Sequence, residues 1–208
     1  MSSKERILVL APHTDDGELG CGATIAKYKR SGYEVTYIAF STCAQSIPSH
    51  LPSDILKNEC DAATRTLGID EVIYLDFQVR LFHNYRQDIL EELVKIGKQF
   101  RPNKVFLPAR EDIHQDHRII HEEGVRAFKN CTLLGYELPW NNLRFNPVYF
   151  ENIHREDLLK KIDALGKYQS QAHRKYMEPE AMTSLARVRG LQANTELAEA
   201  FEIYRMIQ

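Results

Sequence analysis

The chain has 208 residues, 43% hydrophobic and 27% charged, enough to bury a core in one domain without disulfide or metal staples. Its 27 Lys and Arg against 29 Asp and Glu leave a net charge of -2, which offers no basic excess for a nucleic acid or an anionic membrane. Cys21, Cys43, Cys60 and Cys131 lie far apart and form no Cys-x-x-Cys, so no disulfide framework or zinc knuckle is indicated and a reduced cytoplasm suits them.

Residues 1–6 lead into an apolar run too short for a signal-peptide core or a membrane span, so a soluble, unprocessed, cytoplasmic protein is expected. That run, residues 6–11, is rich in branched side chains with no polar alternation, the pattern of a strand buried on both faces. It ends in Pro12-His13-Thr14-Asp15-Asp16-Gly17-Glu18 and then Gly20 and Gly22, before a helix that stops near Gly32. A second strand spans residues 34–40, and an irregular segment with two prolines follows it. Ser53 and Asp54 offer a cap for a helix closed by Gly68, ahead of a third strand over residues 71–76. A loop of residues 77–83 precedes a helix over 85–100, which Arg101-Pro102 breaks. Residues 104–107 form strand four, and the polar loop 108–117 leads into a helix reaching about Lys129. Residues 132–138 and 147–151 read as strands five and six, and from His154 onward the pattern is helical, interrupted near Pro179 and over residues 190–194.

Alternating strands and helices predict one domain over residues 1–208: an α/β, three-layer Rossmann-like fold with a mostly parallel, doubly wound sheet and a helical C-terminal tail. In a 3-2-1-4-5 strand order the topological switch lies between strands one and four, and ligands bind beyond the carboxyl ends of those strands. Both chemistry-bearing loops, at His13–Asp16 and His114–His117, follow those two strands. Imidazole and carboxylate are zinc-type ligands, and adjacent side chains of an extended segment point opposite ways, so Asp15 is free if Asp16 binds an ion. A dinucleotide site is rejected: the glycines lack the Gly-x-Gly-x-x-Gly spacing, and carboxylates would stand where a pyrophosphate should sit.

The paired motifs, Ala11-Pro12-His13-Thr14-Asp15-Asp16 followed by the glycines and His114-Gln115-Asp116-His117, resemble those of the PIG-L / LmbE-like metal-dependent deacetylases of N-acetylglucosamine-containing substrates. The resemblance implies one divalent metal ion, Zn2+ with Fe2+ as alternative, held by His13, Asp16 and His117 with water in the fourth position. It makes Asp15 the general base, and His114 and Asp116 a histidine–carboxylate pair across the substrate; physically, Asp116 would raise the pKa of a His114 imidazolium and orient it. Thr14 replaces the family's proline, the usual glutamate arrives one residue late as Glu18, and Leu56 stands where many members have a substrate-holding arginine. Arg80, Arg86 and Arg110 are the candidate contacts to an anionic group on the aglycone, surface arginines being the default.

Other positions carry competing readings. Asp112 is either an orienting partner for a ligand histidine or a turn residue, and Glu18 either supports the site or favours the helix dipole. His121 is read as an exposed helical histidine, Cys21 as packing, and Arg174, Lys175, Arg187 and Arg189 as a solvated helix face. The expected activity is hydrolysis of an N-acetyl group from an N-acetylglucosamine-type amino sugar. The partner is that small molecule, with no nucleic acid or membrane span, and a homo-oligomer is compatible. The alternatives are hydrolysis of a different small amide and a metal- or sugar-binding module without turnover.

Overall fold

The structure, a computed structural model, describes residues 5–207. Five parallel strands form the body of the sheet: β1 (Arg6–Ala11), β2 (Glu34–Ala39), β3 (Glu71–Tyr74), β4 (Lys104–Pro108) and β5 (Thr132–Tyr136). Two more complete it, β6 (Tyr149–Asn152) and β7 (Ala198–Arg205), in the order β3-β2-β1-β4-β5-β7-β6. β7 runs antiparallel to both of its neighbours.

Period-two alternation distributes the strand side chains between two cores. Ile7, Val9 and Ala11 of β1 join the core that contains Tyr37, Phe106 and Phe201, under α1 (Asp16–Arg30), α2 (Ile55–Leu67), α5 (Arg155–Leu165) and α6 (Pro179–Ala193). Leu8 and Leu10 point the other way, with Val105 and Leu107, into the core under α3 (Arg86–Phe100) and α4 (Gln115–Ala127). The three layers, the parallel pairing and the switch between β1 and β4 are those expected from the sequence.

The tail differs from expectation at its end. α5 and α6 are helical as predicted, but the chain then returns as an eight-residue strand between β5 and β6. Ala and Glu in Ala198-Glu199-Ala200-Phe201-Glu202 favour helix in isolation. Burial overrides that preference: Phe201 is fully buried, 5.0 Å ring to ring from Phe106, and an open edge at β5 is paired.

Candidate metal centre and its cleft

The loop after β1 turns directly into α1. Two glycines let it lie close to the sheet: a Cβ at residue 17 would stand 2.4 Å from the Tyr37 ring, and one at residue 20 would stand 2.3 Å from the Tyr136 ring. The loop is anchored through the Thr14 carbonyl, which accepts from the Tyr37 and Tyr168 hydroxyls at 3.0 and 2.5 Å. The same hydroxyls flank the fully buried Glu18 carboxyl at 2.5 and 2.9 Å, and burial pushes the Glu18 pKa up to about 8. Of the two readings of Glu18, the structure gives it the supporting one.

Three atoms converge at the carboxyl ends of β1 and β4. His13 Nδ1 lies 3.1 Å from Asp16 Oδ2, His117 Nε2 lies 3.2 Å from the same oxygen, and the two nitrogens are 3.2 Å apart. The outer nitrogen of each ring meets a carboxylate: His13 Nε2 is 3.1 Å from Asp116 Oδ2, and His117 Nδ1 is 2.7 Å from Asp112 Oδ2. Those carboxylates assign the protons to the outer nitrogens, which leaves three lone-pair atoms facing one another. Such an arrangement repels itself unless a cation sits among them. Donors at tetrahedral zinc distances of about 2.0–2.1 Å stand about 3.3–3.4 Å apart, so the triangle fits such an ion with little adjustment.

The demand for positive charge is visible in proton affinity as well. Burial alone would depress the His117 imidazole, yet Asp16 and Asp112 raise it to about 10. Against its own burial, Asp16 is held well below the usual carboxylate range by His117 and His13.

Asp15 occupies the cap position of α1, but its carboxylate makes no cap hydrogen bond to the helix. It lines the cleft beside the triangle, where burial and then the charge of Asp16 raise its pKa to about 6, against His13 and Arg174. His114 also lies beside the triangle, its ring 4.8 Å from His13 and 4.5 Å from His117. Its Nδ1 accepts from the Asp116 N–H at 3.2 Å, which puts the ring proton on Nε2. Burial, and next the neighbouring rings of His117 and His13, push its pKa down to about 4.

The expected pairing of Asp116 with the His114 imidazolium is therefore not observed. The Asp116 carboxylate instead accepts from His13 Nε2 and from the backbone N–H of Arg80 at 2.6 Å; its charge does raise the His114 pKa, but burial and the two neighbouring rings outweigh it. α4 begins at Gln115, so Asp116 already points across the sheet toward the loop after β3. Asp112 fills both of its weighed roles, holding His117 and accepting from the His114 N–H at 2.8 Å.

The three candidate arginines separate. Arg80 lines the cleft, its backbone in the left-handed region at φ 69 and held there by Asp116. Arg86 is consumed by Glu122 and Glu123 on α4, and Arg110 lies on the exposed surface with its N–H on Tyr204; neither lines the cleft. A second arginine that lines it is Arg174, which lies over the Tyr176 ring at 5.6 Å. It is exposed, as expected, but on a bend rather than a helix, and Arg189 from the same group pairs with Glu137. Tyr176 in turn stacks on Trp140, centroids 4.0 Å apart and planes 11° off parallel, to make one wall of a cleft of about 280 Å³. No motif marks these wall residues in the sequence. His121 is buried rather than exposed, its Nδ1 2.9 Å from the Pro108 carbonyl.

A three-layer α/β fold with an imidazole-and-carboxylate cluster at its topological switch places the chain among the Rossmann-like site builders. Residues 8–128, more than half of the chain, match the family model PIG-L: GlcNAc-PI de-N-acetylase, and the chain belongs to this family of deacetylases. A curated relative from Escherichia coli K12, the uncharacterized deacetylase YaiS, is 29% identical over 175 residues, covering 81% of this chain and 93% of the relative. The N,N'-diacetylchitobiose deacetylase from Pyrococcus horikoshii superposes with a TM-score of 0.78 at 21% identity, over 97% of this chain and 84% of that one. GalB, the 4-carboxy-2-hydroxymuconate hydratase of Pseudomonas putida KT2440, does so at 0.80 and 20% identity over 98% of both. At these identities the two structures establish the fold alone. A deacetylase and a hydratase share it, so the chemistry must be argued from the site.

Proposed function

We propose that this protein is a metal-dependent hydrolase that removes the N-acetyl group from an N-acetylglucosamine-type amino sugar in a glycoside or glycoconjugate precursor. The observation that carries the reading is the triangle of three inward-facing acceptor atoms with a second carboxylate, which caps no helix, lining the cleft beside it. His13, Asp16 and His117 would hold one divalent ion, with Zn2+ preferred over Fe2+ for a tetrahedral two-imidazole, one-carboxylate set. When bound, such an ion acidifies a water molecule and polarises the amide carbonyl.

The chain's own residues do the rest. Asp15, with its pKa near 6, takes a proton from the attacking water and returns it to the amine nitrogen as the C–N bond breaks. The acyl carbon keeps the water oxygen and its second hydrogen and leaves as acetic acid, which gives that proton to solvent to become acetate, and the amine leaves with the first proton. His114 keeps its proton and donates an Nε2–H hydrogen bond to the developing oxyanion. Asp116 and Asp112 fix the ring orientations of His13 and His117.

A hexopyranose presents an apolar C–H face and a rim of hydroxyls. The Trp140–Tyr176 wall matches the first, and Arg80 and Arg174 offer donors to the second. All four cysteines are buried and unpaired, which supports a reducing, cytoplasmic setting. Among the described residues no helix is long and apolar enough to cross a membrane.

The test is metal analysis of the purified chain together with amine release from a panel of N-acetylglucosamine glycosides. Asp15→Ala is expected to keep the ion and lose turnover, and His13→Ala to lose both. Wild-type release by the Asp15 variant would overturn the mechanism, and sugar binding without any amine release would leave a binding module in its place.

A further inference from the structure

α1 is not one continuous helix. Cys21, at φ -145 and ψ 23, breaks it one turn after Asp16. In an unbroken helix the Ala23 N–H would donate to the Leu19 carbonyl. Here two side chains from the far end of the sequence stand between those groups. Glu199, on β7, accepts from the Ala23 N–H at 3.3 Å and from the Thr24 N–H at 2.7 Å. Lys161, on α5, donates to the Leu19 carbonyl at 2.6 Å and to Glu199 at 2.6 Å. Both are nearly inaccessible, 4% and 7% exposed. Gly22 opens the path, since a Cβ there would stand 3.0 Å from Lys161 Cγ.

A straight helix would satisfy these backbone groups by itself, whereas burying an ammonium and a carboxylate carries a desolvation cost. Local helix stability alone therefore does not account for the break. On its N-terminal side lie the loop and first turn with Asp15 and Asp16. The Leu19 N–H bonds back to the Asp15 carbonyl at 3.0 Å, and the Leu19 side chain lines the cleft. Lys161 thus grips the residue that closes the first turn over Asp15.

We propose that Lys161 and Glu199 are positioning residues for the metal centre: their ion pair holds α1 broken at Cys21 and so sets where the first turn presents Asp15 and Asp16. The proposal rests on reading His13, Asp16 and His117 as metal ligands.

The experiment measures the Zn2+ dissociation constant by chelator competition, with folding followed by circular dichroism. The variants are Lys161→Met/Glu199→Leu, and Lys27→Met as a control that removes an ion pair with Glu151 on the other half of α1. The double variant is expected to lose Zn2+ affinity by about tenfold or more, the range of lost orienting contacts. Its kcat should fall while KM for the sugar changes by less than about twofold, because the opposite wall is untouched. The control should bind Zn2+ as the wild type does, whatever its melting temperature. Wild-type affinity and kcat in the folded double variant would overturn the proposal.

Should the double variant not fold, Glu199→Asp decides. Its shortened carboxylate keeps the charge but retracts from the Ala23 and Thr24 N–H groups, so weaker Zn2+ binding supports the proposal and unchanged binding overturns it. A wild-type chain that holds no Zn2+ would overturn the metal-centre reading and this proposal together, whereas equal binding by wild type and variants would overturn this proposal alone.

Discussion

On the floor of the cleft His13, Asp16, Asp112, Asp116 and His117 are tied to one another and to backbone amides by hydrogen bonds, while on the wall Trp140, Tyr176 and Arg174 meet through ring stacking and a cation–π contact, with the two rings only partly buried against the core. The floor is held from both core layers, through Tyr37 and Tyr168 on one side and the loop after β3 on the other. The wall comes from two connections, one after β5 and one between α5 and α6, outside the named strands; the first is joined to the floor by an isolated bridge between Asn142 and Asp112. Rigid placement belongs where bonds are made and broken, and a less constrained surface suffices where a substrate is chosen.

That contrast can be broken by substitution. The largest effect is expected at Asp15: Asp15→Asn should retain the metal and lower kcat by about 10²–10⁴, the usual contribution of a positioned base. With Asp15 as the proposed base, its protonated form is the inactive one. Since its pKa is raised to about 6, kcat/KM should fall as pH drops below that value, and the Asn variant should lack this limb.

Next in size is a stability effect beneath the floor. Glu18 is raised from 4.5 to about 8 in the folded chain, so between those values the folded state holds a proton that the unfolded state has released. Stability should therefore decline as pH rises through this window, by on the order of 3 kcal/mol at neutral pH, and level off above it. Glu18→Gln, neutral throughout, should flatten that slope in denaturant titrations run across the window; an unchanged slope would mean that Glu18 is not the group responsible.

Asp112→Asn keeps the size of the group holding His117 but removes its charge, and should weaken Zn2+ binding by about 10–100-fold. Trp140→Ala on the wall should be the mildest. It should raise KM for the sugar about tenfold or less, in line with the loss of one aromatic face, and leave metal content and kcat close to wild type. A large fall in kcat there would erase the distinction between floor and wall.

Much of this was legible before any coordinates. Buried strands declare themselves by unbroken apolar runs, helix ends by residues such as Gly32 and Gly68, both at positive φ, and the switch point by strand order. The His13–Asp16 and His114–His117 loops could be matched to one another because each follows a strand next to that switch. The exposed reading of His121 failed because helical spacing says which face a residue is on, not what packs there; Tyr204 of β7 stands edge-on to that ring. Arg86 and Arg174 exchanged roles for a similar reason. An arginine looks the same in a sequence whether two glutamates on a neighbouring helix occupy it or a cleft leaves it open.

The sequence by itself determined the layered sheet, the two loops at its switch point and the kinds of donor they carry, since each is encoded in local spacing and in side chains whose chemistry travels with them. Only the tertiary structure decided that Asp116 serves His13 rather than His114, that the last eight-residue element is a strand, and that Lys161 and Glu199 meet inside a broken helix. Each of these depends on which distant surfaces come into contact. Pairing at a distance is set by packing and by the need to satisfy buried polar groups, and neither is written in any single stretch of chain.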